Sequence, residues 1–406
     1  MSIKEKTGWI KKALQEGNGI LRLAPTWVPR SFLMPGGRLK LDTRDLYILG
    51  ADRGGICERW LASTTKADNG PGTAEDEGLS YIVVGDGTKT KKILLKEAIE
   101  LAGDRFLGEE AMNKYGDWVV LAKIYDYCGP TPFHAHQNDE YAQKVGRLGK
   151  PEAYYFPVQF NFIPNNFPYS FFGLKSGTTK GNIIDCLKRW DKGDNGVLNY
   201  SKAYKLKLGT GWDVPAGILH GPGSLATYEV QRASDVHAMF QSMMEGRPVP
   251  WDLVVKDVPK EYQQDFGYIV NILDWKGNLD PEFAKNYYCE PIFVEDQKVM
   301  EEKGYIEKWV VYKSDYFSAK ELTVFPGRSV TIHDEAAYGA IVVQGRGTVG
   351  SAEVETPTLI QFEQLTSDEF FITAQAANTL KVTNISRYEN LVILKHFGPS
   401  NPNLLS

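Results

Sequence analysis

Short runs of β-branched and aromatic residues, separated by turn-forming residues at intervals of about ten, constrain this chain more than any other feature. They are densest after Ile306, in KWVVYKSDYFSAKELTVF, GAIVVQGRGTV, TLIQFE, EFFITA, TLKVTNIS and NLVILKHF. Comparable runs, WVVLAKIYDY, EAYYFPVQFNFI, KAYKLKLG and ATYEVQ, lie between Trp118 and Gln231. Strands of this length bury alternate residues against a facing layer, so the pattern predicts sandwiches or barrels. At 406 residues the chain exceeds one ordinary core, and two such units are expected.

Helices are few in this reading. ILLKEAIELAG places Leu94, Leu95, Ala98, Ile99 and Ala102 on one face, with Gly103 as the stop. IKEKTGWIKKALQ and NIIDCLKRWDKG are shorter candidates. The expected class is all-β with small helical insertions. An N-terminal helix and loop segment (1–50) is expected to pack on the first barrel, which spans 51–240. A connector with local helices (241–305) is expected to form one wall of a cleft, and a second strand-rich domain spans 306–406.

Net charge is −5 with no block of one sign, which gives no reason to expect nucleic acid or an anionic membrane as partner. No apolar run approaches transmembrane length, and the N-terminal MSIKEKTGW lacks the apolar stretch of a secretory signal. Cys57, Cys128, Cys186 and Cys289 are scattered without a CxxC pair, as expected of free thiols in a reducing compartment. A cytoplasmic protein is the expectation.

The chain has six histidines, and two stand one residue apart in PFHAHQNDEYAQ. On a strand, residues i and i+2 share a face, so His134 and His136 present both imidazoles to one cavity. A catalytic metal takes about three protein ligands and keeps a position open. Glu140 and Glu152 are the candidate carboxylates. A further imidazole, His220, follows the tight turn of VPAGILHG. His333 and His396 stand alone and read as structural or solvated.

The HxH pair and the downstream G-x5-P-x-G-x2-H spacing resemble the two motifs of the cupin superfamily. The resemblance implies double-stranded β-helix (jelly-roll) barrels, the second one degenerate and without metal ligands. HAHQNDEYAQ…LGKPEAYYF more closely resembles the metal-binding segment of the class I mannose-6-phosphate isomerases, Q-x-H-P-D-D-E-Y-A followed by GKTE or HKPE. GICERWLAS is similar to the G-E-x-W segment of that family, and VPAGILHGPGSLATYEVQRASDV to its PAGTxHAxxxG…EIQQxSD stretch. On this resemblance the ligands are His134 (where the family usually has Gln), His136, Glu152 and His220. Glu140 then lies on the surface.

The implied activity is a metal-dependent aldose–ketose isomerase, acting on a sugar or sugar phosphate through an enediol. The implied cofactor is Zn2+ or another divalent ion such as Mn2+, Fe2+ or Ni2+. Lys150 would share the face of Glu152 in an extended segment. Desolvated beside a metal, its ammonium is pushed towards neutrality, which makes it a candidate base. Glu229 is the competing base, and Arg232 and His237 are candidate substrate contacts. Alternate residues of the Tyr154, Tyr155, Phe156 run are expected to line or back the cavity. Met239 stands near the position where the family carries a catalytically important Arg, and Arg232 replaces it only if its side chain turns inward. No Gly-rich loop opens a helix to cradle a phosphate. Two alternatives stay open: a non-haem Fe(II) cupin oxygenase and a catalytically inactive sugar-binding cupin. The expected partner is a small carbohydrate, and a sheet edge is the expected homodimer surface.

Overall fold

The computed structural model describes residues 2–85, 90–162, 167–399 and 401. In the first half, antiparallel strands form a seven-stranded sheet. Its order is Tyr288–Cys289, Gly211–Val214, Glu152–Tyr155, Thr227–Arg232, Val120–Tyr125, Gly55–Leu61 and Thr26–Arg30. A five-stranded sheet faces it, in the order Ser201–Lys205, Tyr169–Leu174, His220–Gly221, His134–Ala135 and Ala238–Met239. The second half repeats the plan. Its seven-stranded sheet runs Ile20–Arg22, Glu369–Ile372, Tyr338–Gln344, Leu391–Phe397, Ser318–Val324, Tyr305–Val311 and Ile292–Phe293. Its smaller sheet runs Ser329–Ile332, Leu380–Asn384, Arg346–Val349 and Ala352–Glu355.

The two large sheets pack against each other. Ala122, Ile124, Tyr155, Tyr228 and Val230 of the first join Val310, Ala319, Ile341 and Leu394 of the second in one core. Polar side chains pin this seam: Tyr155 donates to Glu321 at 2.7 Å, and Arg59 grips Asp368 through two bonds of 2.8 Å. Alternation along each strand therefore has two destinations. On Thr227–Arg232, Tyr228 and Val230 face the seam, whereas Glu229 faces the interior of the first sandwich. Covered on both faces, strands such as Val120–Tyr125 are buried throughout, which explains why they are apolar except at Lys123.

Four expectations need correction. The chain is mainly antiparallel β but not all-β: helices Ile3–Glu16, Leu95–Leu107 and Glu109–Tyr115 cover one flank. The sheets of each half meet through side chains without a continuous ladder, so neither half closes into a barrel. The first fifty residues do not sit on the first half alone. Ile20–Arg22 pairs with Glu369–Ile372 at the edge of the second large sheet, while Thr26–Arg30 pairs with Gly55–Leu61 in the first. Pro25, which has no N–H to donate, stands between them and lets the chain cross from one sheet to the other. Finally, the connector does not wall the cleft. Val254, Val255, Ile269, Val270 and Leu273 pack with Phe133, Ala135, Leu219 and Ala238. The connector helices thus cover the outer face of the five-stranded sheet.

The helix at Leu95 buries Leu95, Ala98 and Ile99 as its spacing predicts, but Gly103 does not stop it. The chain kinks at Ala102 (φ −151°, ψ 33°) and continues to Leu107, because Phe106 and Leu107 are also buried. Among the described residues no helix is long and apolar enough to cross a membrane. All four cysteines are free.

Candidate metal centre

Strand alternation and cross-strand register assemble the site. His134 lies directly opposite His220 in the five-stranded sheet, and His136 follows on the same face of its strand. The rings stand 4.1 Å (His134–His220) and 5.0 Å (His134–His136 and His136–His220) apart. Each Nδ1–H donates to a backbone carbonyl: His134 to Pro132 at 2.7 Å, His136 to Val236 at 2.6 Å and His220 to Ile218 at 2.9 Å. These acceptors hold the ring orientation and leave each Nε2 with a lone pair. Ligand atoms of all three histidines lie within 4.8 Å of one another.

Glu152 approaches from the opposite sheet. Its Oε2 is 3.0 Å from His136 Nε2 and its Oε1 is 3.1 Å from His220 Nε2. Tyr154 donates its hydroxyl to Glu152 Oε1. His220 Nε2 is buried and has no hydrogen-bond partner among the described residues. Burial, followed by the other imidazoles, holds His134 well below the usual histidine range. Burial and the Lys150 charge hold His136 at about 3. Burial opposes ionisation of Glu152, but the Lys150, His136 and His220 charges outweigh it and hold the carboxyl well below its usual range. Neutral imidazoles and one carboxylate, converging in one buried space, form a donor set that fits a divalent cation. Lys150 Nζ contacts two of those donor atoms, 3.0 Å from both His136 Nε2 and Glu152 Oε2, so a cation already stands at their edge.

Glu140 takes no part. Asn138 caps the helical turn Asp139–Ala142 by accepting from Tyr141 N at 3.1 Å, and this turn carries Glu140 into solvent, where it pairs with Lys144 at 3.7 Å. Lys150 and Glu229 both reach the cavity, 3.7 Å apart. Burial and the nearby Glu152 carboxylate push Glu229 up to about 7.

Arg232 does not turn inward. It has the parity of Tyr228 and Val230, donates to Asp139 at 2.6 Å and lies over the Tyr316 ring at 4.8 Å. His237 does line the cavity, beside Met239, with its Nε2 unpartnered. Burial, then the Lys256 charge, keep His237 far below its usual range and so neutral.

The cavity also contains four charged residues that the sequence reading passed over: Arg30, Glu58, Lys123 and Asp235. Lys123 pairs with Glu229 at 3.1 Å, and Tyr127 and Trp60 both donate to Glu58 at 2.8 Å. Despite its burial, the Arg30 and Lys123 charges hold Glu58 at about 2. A signal for Lys123 was present, since a lysine inside the otherwise apolar VVLAKIY must meet a buried partner.

No protein-family model and no curated sequence matches this chain. Solved structures do. A protein from Archaeoglobus fulgidus assigned as a mannosephosphate isomerase superposes with a TM-score of 0.61 at 15% identity, over 94% of this chain and 97% of its own. Mannose 6-phosphate isomerase from Bacillus subtilis gives 0.58 at 18% identity, over 93% and 99%. A mannose 6-phosphate isomerase bound with zinc and yttrium gives 0.59 at 12% identity, over 94% and 100%. The chain has the fold of the mannose 6-phosphate isomerases. The likeness spans both sandwiches.

Proposed function

We propose that the protein is a metal-dependent aldose–ketose isomerase acting on a carbohydrate. The observation that carries this reading is the convergence of His134, His136, His220 and Glu152 beside two further ionisable groups, Lys150 and Glu229, in one buried cleft. A fold shared with mannose 6-phosphate isomerases, one of them zinc-bound, supports it.

Isomerisation moves a proton between adjacent carbons through a cis-enediol. A divalent ion such as Zn2+, when bound, supplies a Lewis acid for the charge that develops on oxygen. The chain supplies the rest. The three backbone carbonyls orient the imidazoles, and Tyr154 orients Glu152. Glu229 accepts the substrate proton at its Oε1, and Lys123 and Lys150 hold that carboxylate in place. A base whose pKa lies near 7 is poised both to take and to return a proton near neutrality. Lys150 stabilises the anionic oxygen. Tyr125, Tyr154 and Phe32 exclude water from the enediol.

The test is elemental analysis of purified protein, followed by a coupled assay over a panel of aldoses, ketoses and their phosphates. About one equivalent of metal and turnover of at least one aldose–ketose pair are expected, with Glu229→Gln keeping its metal and losing roughly a hundredfold in kcat. Metal-loaded protein that turns over nothing in the panel rejects the proposal, and oxygen uptake dependent on Fe(II) would replace it with the oxygenase.

A further inference from the structure

Resting on that reading, we infer that the site takes an unphosphorylated sugar, recognised through its hydroxyl groups, and rejects sugar phosphates. The inference starts from the bonding of every cation that lines the cleft. Arg30 directs its five N–H groups to Glu58 at 3.1 Å (twice), Asp235 at 3.2 and 3.3 Å, and Asn69 at 2.8 Å. A guanidinium has five donors, so none remains for a ligand. Lys123 is held by Glu229 at 3.1 Å and Glu58 at 4.0 Å. Lys150 is held by Glu152 at 3.0 Å and Glu229 at 3.7 Å. Three cations thus face four carboxylates around the cleft.

A phosphate ester entering this space meets carboxylates and already committed cations, and its oxyanions lose hydration without gaining a charged partner. Its phosphate is also several bonds from the carbonyl end of the sugar, so the metal ligands and the reacting carbons cannot serve it. Arg232, at the end of the strand that carries Glu229, is committed to Asp139. Met239, opposite His134 in the sheet, adds a thioether to the lining.

The free bonding capacity in the lining is neutral or anionic, since Glu152 Oε2, Glu229 Oε1 and the Tyr125 hydroxyl lack hydrogen bonds among the described residues. Thr131 Oγ1 and His237 Nε2 are buried and unpartnered among the described residues. A hydroxyl and a neutral imidazole each both donate and accept, which matches the hydroxyls of a sugar. Phe32, Leu33 and Pro222 supply apolar surface for its C–H faces. Specificity then follows from the asymmetry of buried polar groups: a neutral ligand satisfies Thr131 and His237, whereas a dianion leaves its own charge unpaired.

The experiment compares free aldohexoses and ketohexoses with their 6-phosphates on metal-loaded wild-type protein, with inorganic phosphate as a competitor. A kcat/KM at least roughly tenfold higher for the free sugar, with no inhibition by millimolar inorganic phosphate, is expected. A preference for the ester, or competitive inhibition by phosphate, overturns the inference. If nothing is turned over, calorimetry on the same protein separates the two readings. Binding of free sugar but not of ester keeps this inference and ends the isomerase, and no sugar binding ends both. Met239→Arg should raise the ester-to-sugar ratio of kcat/KM by about tenfold. An unchanged ratio in folded variant protein counts against the neutral wall. A variant that does not fold leaves the decision with the wild-type ratio.

Discussion

Both halves of the molecule bury a cluster of ionisable side chains in a β-sandwich, but the clusters are finished differently. In the second half, Lys320 and Lys395 meet Asp334 at 2.7 and 2.6 Å, and both also pair with Glu307. Two cations and two anions cancel, and Trp309 and Phe397 lie over Lys320 at 4.6 and 5.6 Å. Nothing is left to bind a ligand. The adjoining cavity is walled by Leu322, Ile332, Val342, Phe370 and Ile393 and reads as core. In the first half, three imidazole Nε2 atoms and a carboxylate converge with lone pairs facing one another, and no proton donor from the chain completes them all. The difference teaches that a binding site is marked less by buried charge than by buried acceptor atoms that converge without enough donors of the chain to complete them.

The sharpest way to break that contrast is to remove ligands from the open cluster. His136→Ala and Glu152→Ala are each expected to empty the site and reduce turnover by about three orders of magnitude or more, the loss of several kcal/mol of Lewis-acid stabilisation. Glu140→Ala should retain full metal content. Elemental analysis and single-turnover rates on the three variants check this. Metal retained in Glu152→Ala but lost in Glu140→Ala would overturn the ligand set.

The closed cluster should respond in the opposite way. Asp334→Ala leaves Lys320 and Lys395 buried with only Glu307, and it is expected to lower stability by roughly 3–5 kcal/mol. Denaturant titration of the apo protein measures the loss. Metal content of the folded fraction should stay at the wild-type level, because Asp334 touches no ligand. Metal lost together with stability would show that the two halves are not independent.

Much of this contrast was legible in the sequence, for a physical reason. Side chains on a strand have period two, so His134 and His136 declared a shared face before any coordinates, whereas Glu152, which comes from the opposite sheet, and His220 were reached through the resemblance to the isomerase motifs. The choice between Glu140 and Glu152 was harder. It depends on whether Asn138 starts a helical turn, a local capping event worth only about 1 kcal/mol. Arg30 was missed because Thr26–Arg30 contains Pro29 and a register shift between Val28 and Pro29, which break the alternation that would have placed it. The inward turn offered to Arg232 failed for a tertiary reason: the second half places the Tyr316 ring against the guanidinium, and the turn Asp139–Ala142 of the first half supplies Asp139 to it. Nor did the sequence announce that the connector would cover the five-stranded sheet, since its helices are short and owe their burial to packing.

The seam between the two halves gives the smallest effect. Arg59 reaches across it to both Asp368 and Glu369, but it grips Asp368 through two bonds and Glu369 through one, at 3.0 Å. Glu369 is fully buried, and burial outweighs the Arg59 charge and the bond from Ala62 N, pushing the carboxyl up to about 7 from an ordinary 4.5. In this situation the folded protein binds a proton that the unfolded chain has already released. Stability contributed by the protonated form is complete below about pH 4.5, declines as pH rises, and levels off above about 7. Glu369→Gln keeps the shape and an acceptor for Ala62 N but cannot ionise. The stability of wild type relative to this variant should therefore fall by about 1–3 kcal/mol between pH 4.5 and 8, measured by urea titration at each pH. A flat difference, or one that rises with pH, would mean that Arg59 holds Glu369 ionised and that the seam is a closed ion-pair cluster, finished in the same way as the one around Asp334.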